Sequence, residues 1–411
     1  MSSQAEITPV VHDQTWFHIS SIQSAGLGLA MMVIGKQLAQ TYTLSIAIGS
    51  ILLGNLILWL IGMAMISMAF EGRWSAIQNA RNYLGNWGAL FMGLVLLISF
   101  LDWYVLETNF SVPTLAVYWN ISEQSSIVRL GAGLGLLTAL LAIGGIRLIK
   151  WFCVGALPFL IAYCIYAIAI SDVAVKIDGL DLSVTAVIVV VLALLPGTIN
   201  YATFFRHAKS KADGYLALTV LAVMSWFFQM ATFWMDFTPN WALIYEGSHG
   251  LLFTIGTVGF ALVSLVCINL VNIYFASACW ESLAPRFEGA KGYAIIGLLG
   301  TAAYVFFQIY QPMRFVEDLA NCYLSSLGVV LLIAFLVRIV VRHRPRPWEK
   351  AVNGVCWFVG CVVATPMLWM RPEDGVTPLM AGLAASGGLF LLIIFVEENL
   401  WAMRRLRRGT P

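Results

Sequence analysis

The sequence predicts an all-α integral membrane protein of about twelve transmembrane helices. Its 411 residues are 60% hydrophobic and only 11% charged, and the mean hydropathy is +0.85. Soluble domains carry about 25% charged residues, so a water-soluble fold of this length would leave much apolar surface in water. A membrane-spanning helix needs about 20 apolar residues, and about twelve of them with short loops account for the chain.

Apolar runs of helix length follow one another along the whole chain. The boundary between the first two runs rests only on Lys36, Gln37 and Gln40. The runs lie at residues 19–38, 43–70, 86–112, 128–146, 150–171, 183–205, 216–236, 251–278, 291–310, 318–341, 350–370 and 377–399.

The distribution of basic residues predicts the orientation. If the N-terminus is cytoplasmic, the cytoplasmic segments hold all 23 Lys and Arg except Lys36, Arg129, Lys176, Arg314 and Arg371. Cytoplasmic loops are enriched in Lys and Arg, so we expect a multi-pass protein of the cell inner (plasma) membrane with both termini in the cytoplasm. The first 18 residues lack a basic segment followed by an apolar core, which predicts no cleaved signal peptide and a retained first helix.

Several function classes lack their sequence signatures. There is no phosphate-binding loop, no Gly-rich dinucleotide motif and no His, Cys and carboxylate spacing typical of a metal site. Basic residues do not cluster with aromatic ones outside the loops, so nucleic acid is not an expected partner. The seven cysteines are scattered singly. We therefore expect no enzyme activity, no bound metal and no cofactor, with Na⁺ or H⁺ as the only candidate coupling ions.

Two predicted helices contain helix-breaking residues. The first is interrupted by Gly26 and Gly28, and the sixth by Pro196 and Gly197. Five helices separate the two breaks, as in transporters built from inverted five-helix repeats, where freed backbone groups bind substrate and ion. The alternative is that Gly and Pro are simply more frequent in membrane helices than in soluble ones.

The third predicted helix carries the densest set of polar and aromatic residues. Phe100, Trp103 and Glu107 share one helical face, and Asp102 lies beside it. An aromatic face next to a carboxylate suits a planar ligand, and charged groups at membrane depth are functional candidates. The alternatives are that Asp102 is a buried structural carboxylate and that Glu107 approaches the outer interface.

Other polar candidates lie on the first, sixth and eighth helices. Asn269 and Asn272 share a face of the eighth helix, and their amides both donate and accept hydrogen bonds. Thr198 and Asn200 follow the break in the sixth helix, and Gln23 precedes the break in the first. The alternative for the two helix-eight asparagines is that they join neighbouring helices.

Four short segments resemble the nucleobase:cation symporter family, the group of cytosine permease, purine-cytosine permease and the hydantoin transporter. They are Ile-Gly-Ser-Ile-Leu-Leu-Gly at 48–54, Ala-Arg-Asn-Tyr-Leu-Gly at 80–85, Asn-Tyr-Ala-Thr-Phe at 200–204 with the basic loop after it, and Asn-Ile-Tyr-Phe-Ala-Ser at 272–277. Their order and spacing follow the family from about residue 20 to 345.

The resemblance implies a LeuT-type fold, with helices one to five and six to ten as inverted repeats and alternating access around a midplane site. Accordingly, we expect a cytoplasmic tail at 1–18, a ten-helix transport core at 19–341, two accessory helices at 342–399 and a basic cytoplasmic tail at 400–411.

The resemblance also implies residue roles. Trp103 stands where the family stacks its planar substrate, and Asn272 stands where it bonds the edge of the heterocycle. Phe100 replaces a common Gln, Asn200 and Thr203 replace an Asp and an Arg, and Ile268 and Asn269 stand where the family has paired sodium-binding hydroxyls. These departures leave Na⁺ and H⁺ both open, with Asp102 and Glu107 as candidates for carrying a proton.

The expected function is a symporter that imports a small planar nitrogen heterocycle, such as a nucleobase or a related vitamin precursor, across the lipid bilayer. Trp103 stacks the ligand and Asn272, Asn269 and Gln23 bond its edge, with Phe100, Thr198 and Asn200 completing the site. Two alternatives remain: a LeuT-type transporter of amino acids or another metabolite, and a membrane binding or regulatory protein without transport. These three possibilities are distinguished by whether polar groups from helices one, three, six and eight converge on one cavity. The sequence leaves the oligomeric state open.

Overall fold

The computed structural model describes residues 14–173, 175, 179–235, 250–283, 289–310, 313–340, 348–371 and 375–408. These residues are almost entirely helical. An isolated parallel bridge between Gln14 and Ala208 is their only strand-like pairing. The all-α fold class is therefore confirmed.

The described residues form fourteen α-helices and one short 3₁₀ turn, Thr232–Trp234. The helices are α1 (Trp16–Ala25), α2 (Gly28–Thr41), α3 (Leu44–Gly72), α4 (Ala76–Tyr118), α5 (Gln124–Ala142), α6 (Gly145–Ala169), α7 (Val184–Ile199), α8 (Tyr201–Phe205), α9 (Lys211–Ala231), α10 (Leu251–Leu283), α11 (Ala290–Tyr310), α12 (Met313–Val340), α13 (Glu349–Met370) and α14 (Val376–Arg408).

Each predicted apolar run corresponds to one helix, or to a pair of short ones. The first run is the pair α1 and α2, and the sixth is the pair α7 and α8. Within the described part of the chain, ten helices are long and apolar enough to cross a membrane, and α1 with α2 forms a further span bent by 57°. The helix α7 is apolar but shorter, so the count of twelve crossings stays a prediction.

The first break lies where the glycines predict it. α1 ends at Ala25 and α2 begins at Gly28, and the intervening N–H groups of Gly26 and Leu27 bond back to Ile22 and Ser24. The second break differs from the expectation, because Pro196 and Gly197 lie inside α7.

The break in the sixth helix is at Asn200, where φ is −89° and ψ is 1°. Proline removes only its own N–H from the helix, and the N–H of Asn200 still reaches the carbonyl of Pro196 at 3.2 Å. The helix therefore continues for about one turn beyond the proline before it ends.

One compact unit contains the described residues of Met1–Ala76 and Leu96–Met313. Within it α3 packs on α7 and α9, α1 packs on α6 and α9, and α5 packs on α11 and α10. A close approach fixes α2 against α9, because a Cβ atom on Gly35 would lie 2.0 Å from the carbonyl oxygen of Gln229.

A second compact unit contains the described residues of Ile77–Val95 and Arg314–Pro411. Within it α13 and α14 pack along each other. The Asn353 side chain donates to the Tyr83 carbonyl oxygen at 2.8 Å, and the Trp357 indole N–H donates to the Tyr323 carbonyl oxygen at 2.9 Å. These bonds tie the first part of α4 and α12 to α13.

Many large apolar side chains point outward from the helices. Leu56 and Leu60 of α3, Leu140 of α5 and Phe358 of α13 are each more than half exposed. An aqueous surface seldom carries so many apolar side chains in contiguous patches, whereas a lipid-facing helix surface does. Together with the long apolar helices, this arrangement makes the chain a multi-pass membrane protein.

Candidate functional site

A cavity of about 60 Å³ lies where both broken helices meet α4 and α10. The first break contributes Gln23 and Gly26, the second contributes Gly197 before it and Tyr201 after it, and α4 contributes Trp103. The remaining lining residues are Leu27, Ala30, Met31, Phe100, Ala193, Leu194, Ile268, Val271, Asn272 and Phe275. Pockets for drug-sized ligands measure about 300–1,000 Å³, so this cavity suits a small ligand.

Two amide side chains supply the hydrogen-bonding groups of the cavity. Gln23 on α1 and Asn272 on α10 are both buried, 6% and 5% exposed. The Nε2 atom of Gln23 and the Nδ2 atom of Asn272 have no hydrogen-bond partner among the described residues. Because an unsatisfied buried donor is costly, these two amides are ready to donate to a ligand that presents acceptor atoms.

Aromatic side chains form much of the wall. Trp103 is half-buried, and Tyr201 lines the cavity at the start of α8. Phe100 stacks on Phe275 with ring centroids 5.1 Å apart and an interplanar angle of 28°. Trp103 and Tyr201 therefore offer aromatic surface to a ligand, while part of the Phe100 ring face is covered by Phe275.

No charged side chain lines the cavity in the part of the chain that the structure describes. A buried charge without a partner is strongly disfavoured. The site is therefore suited to an uncharged ligand.

A polar layer behind the cavity holds Met31 in place. The Gln229 Nε2 atom lies 3.2 Å from the Met31 sulfur, and the Asn55 Nδ2 atom donates to Gln229 Oε1 at 3.1 Å. These contacts tie α2 to α3 and α9, so two other helices position the second half of the broken helix.

Two predicted site residues on the sixth helix do not line the cavity. Thr198 is buried and its hydroxyl donates to the Leu194 carbonyl oxygen at 2.9 Å within α7. Asn200 sits at the break, where its Oδ1 atom accepts a hydrogen bond from Thr203 Oγ1 at 2.6 Å. The same Thr203 oxygen accepts from the Ala76 N–H at 3.1 Å, so both threonine and asparagine stabilise the break.

Three further predicted residues lie away from the cavity lining. Asn269 is fully buried, and its Nδ2 atom donates to Thr108 Oγ1 at 3.2 Å. Asp102 is 4% exposed and has an interaction partner. Glu107 is 0% exposed, so the helices packed on α4 cover it completely. The alternative that it approaches the outer interface stays a prediction.

The structure thus brings together four of the predicted substrate residues: Gln23, Phe100, Trp103 and Asn272. The sequence reasoning missed Tyr201 and Phe275. Tyr201 directly follows the helix break at Asn200, and Phe275 lies one turn after the predicted site residue Asn272. Their closeness in sequence to the break and to Asn272 was the signal that would have identified them. Among the described residues, no group of three His, Cys, Asp or Glu side chains is placed to hold a metal ion.

No protein-family model and no curated protein sequence matches the chain. Solved structures do match. Mhp1, a nucleobase-cation-symport-1 family transporter in a closed conformation with bromovinylhydantoin bound, is 16% identical with a TM-score of 0.65 over 96% of both chains. A substrate-bound outward-open Na⁺-coupled sialic acid symporter is 13% identical with a TM-score of 0.64 over 92% of this chain and 89% of that one.

A manganese transporter from Eremococcus coleocola is 11% identical, with a TM-score of 0.59 over 96% of this chain and 95% of that one. At such identities the likeness establishes the fold and nothing finer. The chain has the fold that these transporters share, and this confirms the LeuT-type fold that the sequence resemblance implies.

Proposed function

We propose that this protein is a secondary active symporter that imports a small, uncharged, planar nitrogen heterocycle by alternating access. The observation that carries the proposal is the pairing of two unsatisfied amide donors, from Gln23 and Asn272, with aromatic walls in an uncharged cavity. In this proposal Trp103 stacks the ligand, Tyr201 covers it from the other broken helix, and the amides bond its carbonyl or ring-nitrogen acceptors.

The charge of the cavity favours this ligand over the other candidates. Amino acids and sialic acid carry a carboxylate, and a buried anion needs a cationic partner. Manganese needs several oxygen or nitrogen ligands. A hydantoin or nucleobase ring is flat, carries no charge and presents carbonyl oxygens, so it matches two donors and an aromatic wall. The neighbour with bromovinylhydantoin bound supports the same ligand class.

The placement of the cavity supports alternating access. Both broken helices, α1 with α2 and α7 with α8, contribute to its lining, as the inverted-repeat design requires. In this proposal residues 19–341 form the transport core and the two C-terminal helices are accessory. The protein lies in the inner membrane, with both termini in the cytoplasm. A coupling ion, Na⁺ or H⁺, drives uptake, with Asp102 and Glu107 as the candidate proton carriers.

Thermal stability of the purified protein against a ligand panel tests the proposal. The panel holds nucleobases, hydantoins, pyrimidine and thiazole precursors, and amino acids, each with and without sodium. A ligand at about 100 times its Kd stabilises the protein by about 2.7 kcal/mol. We expect a shift with one class of heterocycle and its loss in Trp103→Ala.

The matched control is Trp87→Ala, since Trp87 is 82% exposed and is not one of the cavity-lining residues. The proposal requires the heterocycle shift to survive in that variant. A shift with amino acids alone would favour the second transporter class. Binding of a heterocycle without uptake into proteoliposomes would favour a membrane binding or regulatory protein.

A further inference from the structure

Helices α4 and α10 approach each other at two successive positions along their length, which we call the cavity level and the next level. On the cavity level lie Trp103 of α4 and Asn272 of α10. On the next level the Asn269 amide donates to Thr108 Oγ1 at 3.2 Å. Asn269 precedes Asn272 by three residues and Thr108 follows Trp103 by five, so the helices are antiparallel here and about one turn separates the levels.

Glu107 belongs to the next level. It is 0% exposed, and neither oxygen of its carboxyl group has a hydrogen-bond partner among the residues that the structure describes. Two nearby side-chain oxygens are also buried without a hydrogen-bond partner among the described residues. They belong to Ser111, one turn further along α4, and to Asn269. Along α4, Glu107 directly precedes Thr108 and Ser111 follows it by three residues, and Thr108 is the residue that Asn269 bonds.

Three helices that meet this stretch of α4 through Tyr104 and Thr108, namely α5, α10 and α11, bring no positive charge to this carboxyl. Tyr104 touches α11 through Thr301 at 3.2 Å, and Gly135 brings α5 close to the same tyrosine. Along its described length, α5 carries only Arg129, whose guanidinium pairs with Glu123 at 3.7 Å near the start of the helix. α11 carries only Lys291, at its second position.

The described part of α10 contains no basic residue. The other buried titratable groups on the second half of α4 and on α10 and α11 are Asp102, Tyr104, Cys267, Tyr274, Cys279 and Tyr304. None of these is a cation. A carboxylate buried without a cation is far more costly than a lost hydrogen bond. This environment therefore favours the neutral carboxyl, and the proton can leave only when water or a cation reaches the group.

We propose that Glu107 is the protonation site that couples substrate uptake to a proton, an inference that rests on the proposed transport function. A proton binds one carboxylate oxygen in the outward-facing state and leaves the same oxygen in the inward-facing state, so no electron moves and no other reactant is needed. The neutral carboxyl gains one donor, and Asn269, which bonds the adjacent Thr108 and lies one turn from Asn272, keeps an oxygen without a hydrogen-bond partner among the described residues. Protonation thereby acts on the same two helices that hold the ligand.

The first experiment compares Glu107 directly with the other candidate proton carrier on the same helix. Asp102 is also buried but already has an interaction partner. The first experiment compares wild type, Glu107→Gln, Glu107→Asp and Asp102→Asn by infrared difference spectroscopy during a pH titration of purified protein without ligand. We expect the C=O stretch of a protonated carboxyl near neutral pH in wild type, its loss in Glu107→Gln and its retention in Asp102→Asn. A band that persists unchanged in Glu107→Gln overturns the assignment.

The second experiment measures uptake of cytosine and hydantoin into proteoliposomes. With one proton per substrate, a pH gradient of about one unit supports about tenfold accumulation. We expect that accumulation in wild type, in Glu107→Asp and in the exposed control Glu123→Gln, and a ratio of about one in Glu107→Gln. Wild-type uptake driven by sodium alone, or full accumulation in Glu107→Gln, overturns the inference. If wild type takes up neither compound, the transport proposal fails, while the infrared titration still judges the protonation of Glu107 independently.

Discussion

His207 and Tyr274 are joined by a hydrogen bond of 3.0 Å between the imidazole Nε2 and the phenol oxygen. The bond links the segment after α8 to α10, and Tyr274 lies two residues after the cavity residue Asn272. The same segment pairs with Gln14, just before α1, because the Lys209 N–H donates to the Gln14 carbonyl oxygen at 2.8 Å. Both broken helices are thus fastened to α10 or to each other at one end of the unit.

Removing the phenol should loosen this end of the transport path. In Tyr274→Phe the buried imidazole of His207 loses its partner, and we expect a stability loss of about 1–3 kcal/mol. We also expect faster modification of an introduced cysteine at residue 205 by a membrane-permeant thiol reagent. Tyr310→Phe is the control, since Tyr310 is 65% exposed. Unchanged reactivity in Tyr274→Phe would show that the bond does not restrain opening.

Asn272 and Asn55 should respond in opposite ways to the same substitution. The Asn272 Nδ2 atom has no partner in the described structure, so Asn272→Leu should leave the ligand-free protein as stable as wild type. It should weaken heterocycle binding by about ten- to a hundredfold, because a donor to the ligand is lost. Melting curves with and without ligand measure both effects.

In Asn55→Leu the expected pattern is the reverse. The Asn55 amide donates to the Ile51 carbonyl oxygen and to Gln229 Oε1, and leaving Gln229 unsatisfied costs about 1–3 kcal/mol. The ligand-free protein should therefore lose stability. Equal destabilisation by both leucine variants would mean that Asn272 is a structural residue and not a ligand donor.

The helices were predictable because the length of an apolar run is written directly in the sequence. The first break was predictable for a similar reason, since Gly26 and Gly28 act on the local backbone. The second break was displaced to Asn200, because a single proline does not decide where the remaining hydrogen bonds stop. That outcome depends on the fixed contacts of Thr203 with Asn200 and Ala76.

The cavity was only partly predictable. Amides at membrane depth are rare enough for Gln23 and Asn272 to be recognised as candidates. Tyr201 and Phe275 were missed because an aromatic residue in an apolar helix looks the same in sequence whether it faces lipid, core or cavity. The complete burial of Glu107 depends on which helices pack over α4, and no local pattern contains that information.

The close contact between α2 and α9 predicts a strong effect of one added methyl group. In Gly35→Ala the new Cβ atom would lie 2.0 Å from the backbone oxygen of Gln229, which also accepts a hydrogen bond from Thr232 Oγ1 at 2.8 Å. Overpacking of this kind costs about 1–3 kcal/mol or more. Gly133→Ala is the control, because nothing lies within 4 Å of that position. It should gain about 0.5–1 kcal/mol from helix propensity, and a similar melting temperature for the two variants would contradict the packing of α2 on α9.

The start of α2 depends on a hydroxyl from α10. The first N–H groups of a helix have no partner within it, and here the Leu29 N–H donates to Ser264 Oγ at 2.7 Å, buried beside Gly28. Ser264→Ala leaves that N–H unsatisfied, so we expect a loss of about 1–3 kcal/mol and weaker heterocycle binding, since Gly26 and Leu27 at the same break line the cavity. Ser325→Ala removes a buried hydroxyl whose oxygen has no hydrogen-bond partner among the described residues and should change neither quantity. If Ser264→Ala lowers stability but leaves binding intact, the break holds its shape without α10, and the cavity owes its geometry to α4 and α7 instead.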